Sequence, residues 1–180
     1  MSQTGRTLNE EVLNALSHLP IAFVSIYHLL TYGENVVFLS FSVLTFFFSF
    51  LYHIAKDPSS KKIFRRLDVA SIFWLIPASV FVFLPTAASL SVLALCILLS
   101  IPVIKSGTST VFTDVALITL TASCLMLVFL FSASWQAILL GVVFYGLGLP
   151  FYFNDEKRWS HFVWHLFVIA GWTTHLWAHL

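Results

Sequence analysis

The sequence predicts an all-α, polytopic membrane protein: a bundle of seven transmembrane helices with a cytoplasmic N-terminus and the C-terminus on the far side. Three observations predict it. Hydrophobic residue types make up 59% of the 180 residues and charged types only 9%, against about 45–50% and about 25% in soluble domains. Polar punctuation cuts the chain into seven apolar runs, each near the roughly 20 residues needed to cross about 30 Å of hydrocarbon. All nine Lys and Arg residues fall in the segments that an alternating seven-span path puts on one side.

Each run has its own boundaries. The first covers about 15–32 and the second about 35–55. The third covers about 68–84, opening at Asp68 and ending near Pro85, and the fourth about 86–104. The fifth covers about 110–131, the sixth about 134–153 and the seventh about 160–180. The third break rests on Pro85-Thr86 and the fifth on Ser132-Ala133-Ser134, short enough for neighbouring antiparallel helices. No repeat, low-complexity segment or linker interrupts the chain, so residues 1–180 read as one domain.

Charge sets the orientation. Arg6, then Lys56, Lys61, Lys62, Arg65 and Arg66, then Lys105, then Lys157 and Arg158 fall on one side. Basic residues in short loops stay cytoplasmic, and the run from Lys56 to Arg66 suits anionic headgroups. The first 17 residues carry no apolar core of a cleavable signal, so the first span is expected to act as an uncleaved anchor. A net charge of +1 offers no basic field for nucleic acid. Cys96 and Cys124 lie in apolar runs and read as small packing residues rather than a disulfide framework. Gly141, Gly146 and Gly148 are expected to permit close helix packing, and Pro77, Pro102 and Pro150 to kink their helices. Trp159, Trp164, Trp172 and Trp177 fit an aromatic belt at both ends of the last span.

Ionisable residues inside a membrane are costly and usually serve a purpose. Here they gather at one depth, near the cytoplasmic ends of several spans: Glu11, Asn14 and His18; Ser49 and His53; Asp68; Asp114; His161 and His165. His161 and His165 are four apart and share a helix face, a spacing that can grip one metal ion. Phe162 follows His161, so any general base comes from elsewhere. His53 is a candidate third ligand, and three ligands with one open position define a catalytic zinc site. Asp68 can then orient or deprotonate a water, although an Asp at a helix start also serves as an N-cap. His28, His175 and His179 read as interfacial or hydrogen-bonded residues. His175 lies about 15 Å along the axis from His165 and cannot join the same site without a bend. Asp114 reads as a helix-start or packing residue.

Three blocks resemble the hemolysin III family of bacterial membrane proteins, which belongs with the progestin and adipoQ receptors. The first is Glu11-Val-Leu-Asn14-Ala-Leu-Ser-His18. The second is Ser49-Phe-Leu-Tyr-His53 with Arg65-Arg66-Leu67-Asp68. The third is His161-Phe-Val-Trp-His165-Leu-Phe-Val-Ile-Ala-Gly171 with His175. The resemblance implies zinc bound by His53, His161 and His165, with Asp68 on the zinc water and Ser49 hydrogen-bonding within the site. It also implies residence in a bacterial inner membrane. The wider superfamily includes alkaline ceramidases, which implies hydrolysis of a lipid amide or ester, with a ceramide-like or acyl lipid as substrate. The sequence departs from the family at Val69, where members often carry His, and in the third span, which reads Ala78-Ser-Val-Phe-Val-Phe-Leu-Pro85.

The rival reading is a receptor or membrane-homeostasis regulator in which zinc only ties helices together. A pore would need polar residues through the full depth, and spans four and six offer few. A serine hydrolase is disfavoured because Ser49 sits in no GxSxG elbow. A C-terminal reporter that is active only in the cytoplasm should stay silent; a bright signal from it would overturn the count and the orientation together.

Overall fold

The computed structural model of the protein describes residues 5–107, 110–132 and 135–180. Among them lie seven α-helices and no strand. They are α1 (Leu8–Tyr32), α2 (Val36–Ile54), α3 (Pro58–Ser79), α4 (Thr86–Ser106), α5 (Thr110–Phe131), α6 (Trp135–Phe153) and α7 (Ser160–His179). A single 3-10 turn, Phe81–Phe83, joins α3 to α4. Six helices are long and apolar enough to cross a membrane. The remaining one, α7, has 20 residues, about 30 Å of helix, but His161, His165, His175 and His179 lower its hydropathy.

Two helices begin earlier than the apolar runs imply. α1 starts at Leu8 rather than near residue 15, because Thr7 and Glu10 form a capping box. The Thr7 N–H donates to Glu10 at 2.9 Å, and the Glu10 N–H donates to Thr7 at 3.4 Å. α3 starts at Pro58 rather than at Asp68. Its N-cap is Asp57, which accepts the Ser60 N–H at 2.8 Å, with Pro58 in the first turn. Hydropathy marks where a helix turns apolar, whereas caps mark where it begins. Asp68 therefore lies inside a helix and is not its N-cap. α1 ends at Gly33, whose left-handed φ of 63° closes the helix. Of the expected Ser132-Ala133-Ser134 turn, Ala133 and Ser134 lie outside the described residues.

α2 packs between α1 and α3, α7 packs between α6 and α1, and α3 also meets α4 and α5. Two apolar cores result. One joins Ile21, Phe38, Phe46, Trp172 and Leu176 from α1, α2 and α7. The other joins Phe73, Cys96, Val103, Cys124, Val128 and Ile138 from α3 to α6. Both cysteines are free and buried in that second core, as small packing residues should be. Leu98, Phe129 and Leu130 stay exposed on α4 and α5, an apolar surface suited to lipid.

The basic segments gather at one end of the bundle. Arg6 meets Asp155 of the α6–α7 connection, and Lys61 meets Glu11. Arg66 donates to the carbonyls of Ile104 and Lys105 at 3.3 and 3.2 Å, at the C-terminus of α4, where a cation complements the helix dipole. At the other end, Asn35 donates to the His179 carbonyl at 3.1 Å, and His179 Nε2 donates to the Ser79 carbonyl at 2.9 Å. The described residues near the two termini thus sit at opposite ends. The Lys56–Arg66 run is partly turned inward: besides Lys61 and Arg66, Arg65 donates to the Tyr52 hydroxyl at 3.0 Å.

Other packing expectations divide. Trp172 is not interfacial: it is buried, and its indole N–H donates to Ser42 at 2.8 Å. Its slot beside Phe38 and Phe46 accepts the whole indole. A Cβ on Gly141 would lie 2.2 Å from the His175 ring, and one on Gly148 would lie 2.7 Å from Trp164. Gly146 faces open space instead. Asp114 accepts from the Tyr152 hydroxyl at 3.4 Å, a packing role between α5 and α6. Gly141→Ala should therefore destabilise the bundle by about 1–3 kcal/mol, the usual cost of overpacking, while Gly146→Ala should be neutral or slightly stabilising. Thermal unfolding in detergent measures both.

Candidate metal centre

Four imidazoles from three helices meet near the basic end of the bundle. His18 comes from α1, His53 from α2, and His161 and His165 from α7. The His18 and His165 rings lie 4.2 Å apart, His161 and His165 4.5 Å, and His53 is 5.1 Å from each α7 ring. Ring nitrogens of His18, His53 and His165 all lie within 4.8 Å of one another.

The neighbours of each ring determine which nitrogen can bind an ion. His53 Nδ1 is 2.6 Å from Glu11 Oε2. The carboxylate accepts an N–H there, so the lone pair is at Nε2. His165 Nδ1 is 3.0 Å from Ser17 Oγ, and that hydroxyl already donates its one proton to the Asn14 carbonyl at 2.6 Å. Ser17 must then accept from His165 Nδ1–H, which again leaves Nε2 as the lone-pair nitrogen. His161 Nδ1 stands 3.0 Å from Asp155 Oδ1.

The carboxylates are themselves paired. Glu11 Oε1 accepts from Lys61 Nζ at 3.1 Å, with Arg6 at 3.9 Å. Asp155 accepts a two-pronged contact from Arg6, one prong through Nε at 3.2 Å and the other through the terminal nitrogen Nη2. Burial alone would raise the Asp155 carboxyl, but His161 and Arg6 outweigh it and hold it well below the usual carboxylate range. Glu10 adds a backbone tie: its Oε1 accepts the N–H of Trp159 at 2.8 Å. Trp159 has a left-handed φ of 64°, costly for an aromatic residue, and this bond helps to hold it at the entrance to α7.

Buried polar atoms without partners test whether these residues suit a metal. Both ring nitrogens of His18, His53 Nε2 and the side-chain amide of Asn14 are buried with no hydrogen-bond partner. Each such group costs about 1–3 kcal/mol, and imidazole lone pairs converging on one point are what a zinc-type ion satisfies. The donor set fits a metal.

Of the expected site residues, His53, His161 and His165 come together. Ser49 and Asp68 lie near each other, with Arg65 close by. Ser49 lies one helical turn before His53 on α2. The carboxylates that touch the histidines are Glu11 and Asp155. His175, expected outside the site, donates Nε2–H to the Ile138 carbonyl at 3.2 Å. Sequence reasoning left His18, Glu11 and Asn14 without roles, although the intervals of three and seven put them on one stripe of α1. Ser17 and Asp155 carry no comparable signal.

The chain is similar to Hemolysin-3 of Bacillus cereus, with 23% identity over 199 aligned positions that cover 95% of this chain and 90% of the relative. No protein-family model matches the chain, and no solved structure matches it.

Glu11→Ala should weaken metal binding about 10–100-fold, the usual effect of losing a partner that orients a ligand. It should also lower stability, because Lys61 is left in a buried site without its carboxylate. Zinc titration and thermal unfolding of the purified protein check the two effects.

Proposed function

We propose that the chain, similar to Hemolysin-3 of Bacillus cereus, is a hemolysin III-like membrane protein that acts as a zinc-dependent hydrolase of lipid amide or ester bonds. The observation that carries this reading is the buried convergence of imidazoles, two of them oriented through Nδ1 by Glu11 and Ser17. His53 and His165 hold the ion, with a third imidazole from His18 or His161. When bound, zinc supplies Lewis acidity, polarising a carbonyl and lowering the pKa of a water.

The remaining chemistry belongs to the chain. Asp68, near Ser49, which lies one turn before His53 on α2, is assigned to take the proton from the attacking water. Arg65, beside it, offsets the carboxylate charge. The bundle spans a bacterial inner membrane seven times with the N-terminus cytoplasmic, so the site lies near the cytoplasmic leaflet. The substrate is a ceramide-like or other acyl lipid whose chain lies among the helices.

A second reading is a receptor or membrane-homeostasis regulator with a structural metal. It is favoured by the tight closure over the histidines, where Arg6, Glu10, Asn14, Asp155, Trp159 and His161 meet. The neighbouring cleft, about 210 Å³, is lined by Gly5, Thr7 and the charged residues 155–158 rather than by apolar side chains.

Asp68→Asn separates the two readings, because it keeps the size and an oxygen acceptor but removes the charge. Under the hydrolase reading it should lower lipid-amide hydrolysis by about 10²–10⁴-fold with zinc content unchanged. Ser49→Ala should cost less, since a supporting hydrogen bond contributes about 0.5–1.5 kcal/mol. Hydrolysis of ceramides in detergent or vesicles, with zinc measured on the same samples, checks this. Full activity in Asp68→Asn would remove Asp68 from the mechanism, and inactive wild type across lipid amides and esters would favour the regulator.

A further inference from the structure

We propose that His179 is a pH-sensitive latch: as an imidazolium it pins the end of α7 to Asn35 of the α1–α2 turn and to Ser79 at the end of α3, and on losing its proton it loosens that end. The latch lies at the end of the bundle opposite the basic segments, and the inference is independent of the metal reading.

Both ring nitrogens of His179 face acceptors. Nε2 is 2.9 Å from the Ser79 carbonyl, and Nδ1 is 3.2 Å from Asn35 Oδ1. The second contact of Asn35 fixes which way its amide points, because Nδ2 donates to the His179 main-chain carbonyl at 3.1 Å. Turning the amide over would set oxygen against oxygen there. A neutral imidazole has one N–H, so it serves one acceptor and turns a lone pair on the other. The imidazolium serves both.

The surroundings carry the same preference. Ser79 is the last residue of α3, so its carbonyl is one that the helix leaves unpaired, at the negative end of the helix dipole. Phe38 lies flat on the imidazole, with ring centroids 4.5 Å apart and planes 1° apart, and Phe83 approaches at 5.1 Å. An aromatic face attracts a cation. Burial works against the charge, while the two acceptors and the Phe38 face work for it. A histidine under such opposing influences titrates within reach of ordinary pH changes. Because the closed latch binds the proton, its hold is full in acid and is lost as pH rises.

Other titratable groups on the surrounding elements are separate from this contact. His175, one turn earlier on α7, is committed through Nε2 to the Ile138 carbonyl. Glu34, beside Asn35, is exposed. His28 and Tyr32, near the end of α1, pack against each other at 5.2 Å. The segment from Ser79 to Phe83 has no titratable side chain, and any main-chain carboxylate at Leu180 would favour the cation.

Nitrogen-15 NMR of labelled histidine in the full chain in detergent reads the proton, and hydrogen exchange reads the latch. The His179 ring should carry two N–H groups at about pH 5 and one at about pH 8. Over that interval the protection of the last turn of α7, corrected for the intrinsic pH dependence of exchange, should fall by about 10-fold, the effect of one pKa unit of coupling. His179→Gln should remove this pH dependence and identify the ring signal. Asn35→Gly should remove it too, because it deletes the acceptor at Nδ1 and leaves the Ser79 bond to the neutral ring, while glycine accepts the φ of 51° at that position. His28→Gln should leave the pH dependence as in wild type. Protection that does not change with pH, a His179 ring with one N–H throughout, or a wild-type pH response in Asn35→Gly would each overturn the latch. If His179→Gln fails to fold, Asn35→Gly and the wild-type ring spectrum still decide.

Discussion

Packing four imidazoles from three helices into one buried layer calls for acceptors to ring N–H groups that point away from the centre. Glu11 answers for His53 and Ser17 for His165, and Asp155 stands 3.0 Å from His161 Nδ1 as an ion-pair partner. Buried carboxylates in turn demand cations, because an unpaired buried charge costs several kcal/mol. Lys61 is drawn inward to Glu11, and Arg6 is laid across Asp155. The start of α1, the connection before α7 and the first turn of α3 are thereby fixed to one another. These ties follow from the histidines: the same residues on the surface would gain little from pairing.

The rest of α7 is polar for a different reason. Trp172 donates to Ser42, His175 to the Ile138 carbonyl and His179 to the Ser79 carbonyl. Each bond crosses from α7 to another part of the bundle, where water is scarce and a polar group must find its partner in protein. Gly141 makes room for the His175 ring, which a Cβ there would overlap. α7, which is not among the six helices apolar enough to cross a membrane, is held by neighbours on several sides. α4 and α5, with Leu98, Phe129 and Leu130 exposed, present the apolar exterior.

Two carboxylate environments coexist at the basic end. Glu11 and Asp155 touch imidazoles and cations, which suits them to orienting ligands. Asp68 meets Ser49 and Arg65 instead, one turn away along α2, which leaves its carboxylate uncommitted to any histidine. Under the proposed hydrolase reading, one set of carboxylates orients the ligands and another is kept for proton transfer. That separation is the physical basis for asking Asp68, rather than Glu11, to report turnover.

Composition and order along the chain determined the membrane setting, the seven helices and the single polar layer, because each depends on properties local in sequence. Apolar run length sets a span, and the four-residue interval puts His161 and His165 on one face. Capping was equally local, yet the starts of α1 and α3 followed Thr7 and Asp57 rather than the edge of hydropathy. The tertiary structure alone decided the partners. Periodicity names a helix face but not the helix opposite it, so it could not pair Asp155 with His161, seat Trp172 beside Ser42 or bring His18 within 4.8 Å of His53 and His165. Those contacts depend on how each helix is rotated and on where the α6–α7 connection lands. Both are set by close packing and by the need to satisfy buried polar atoms, which act between residues distant in sequence.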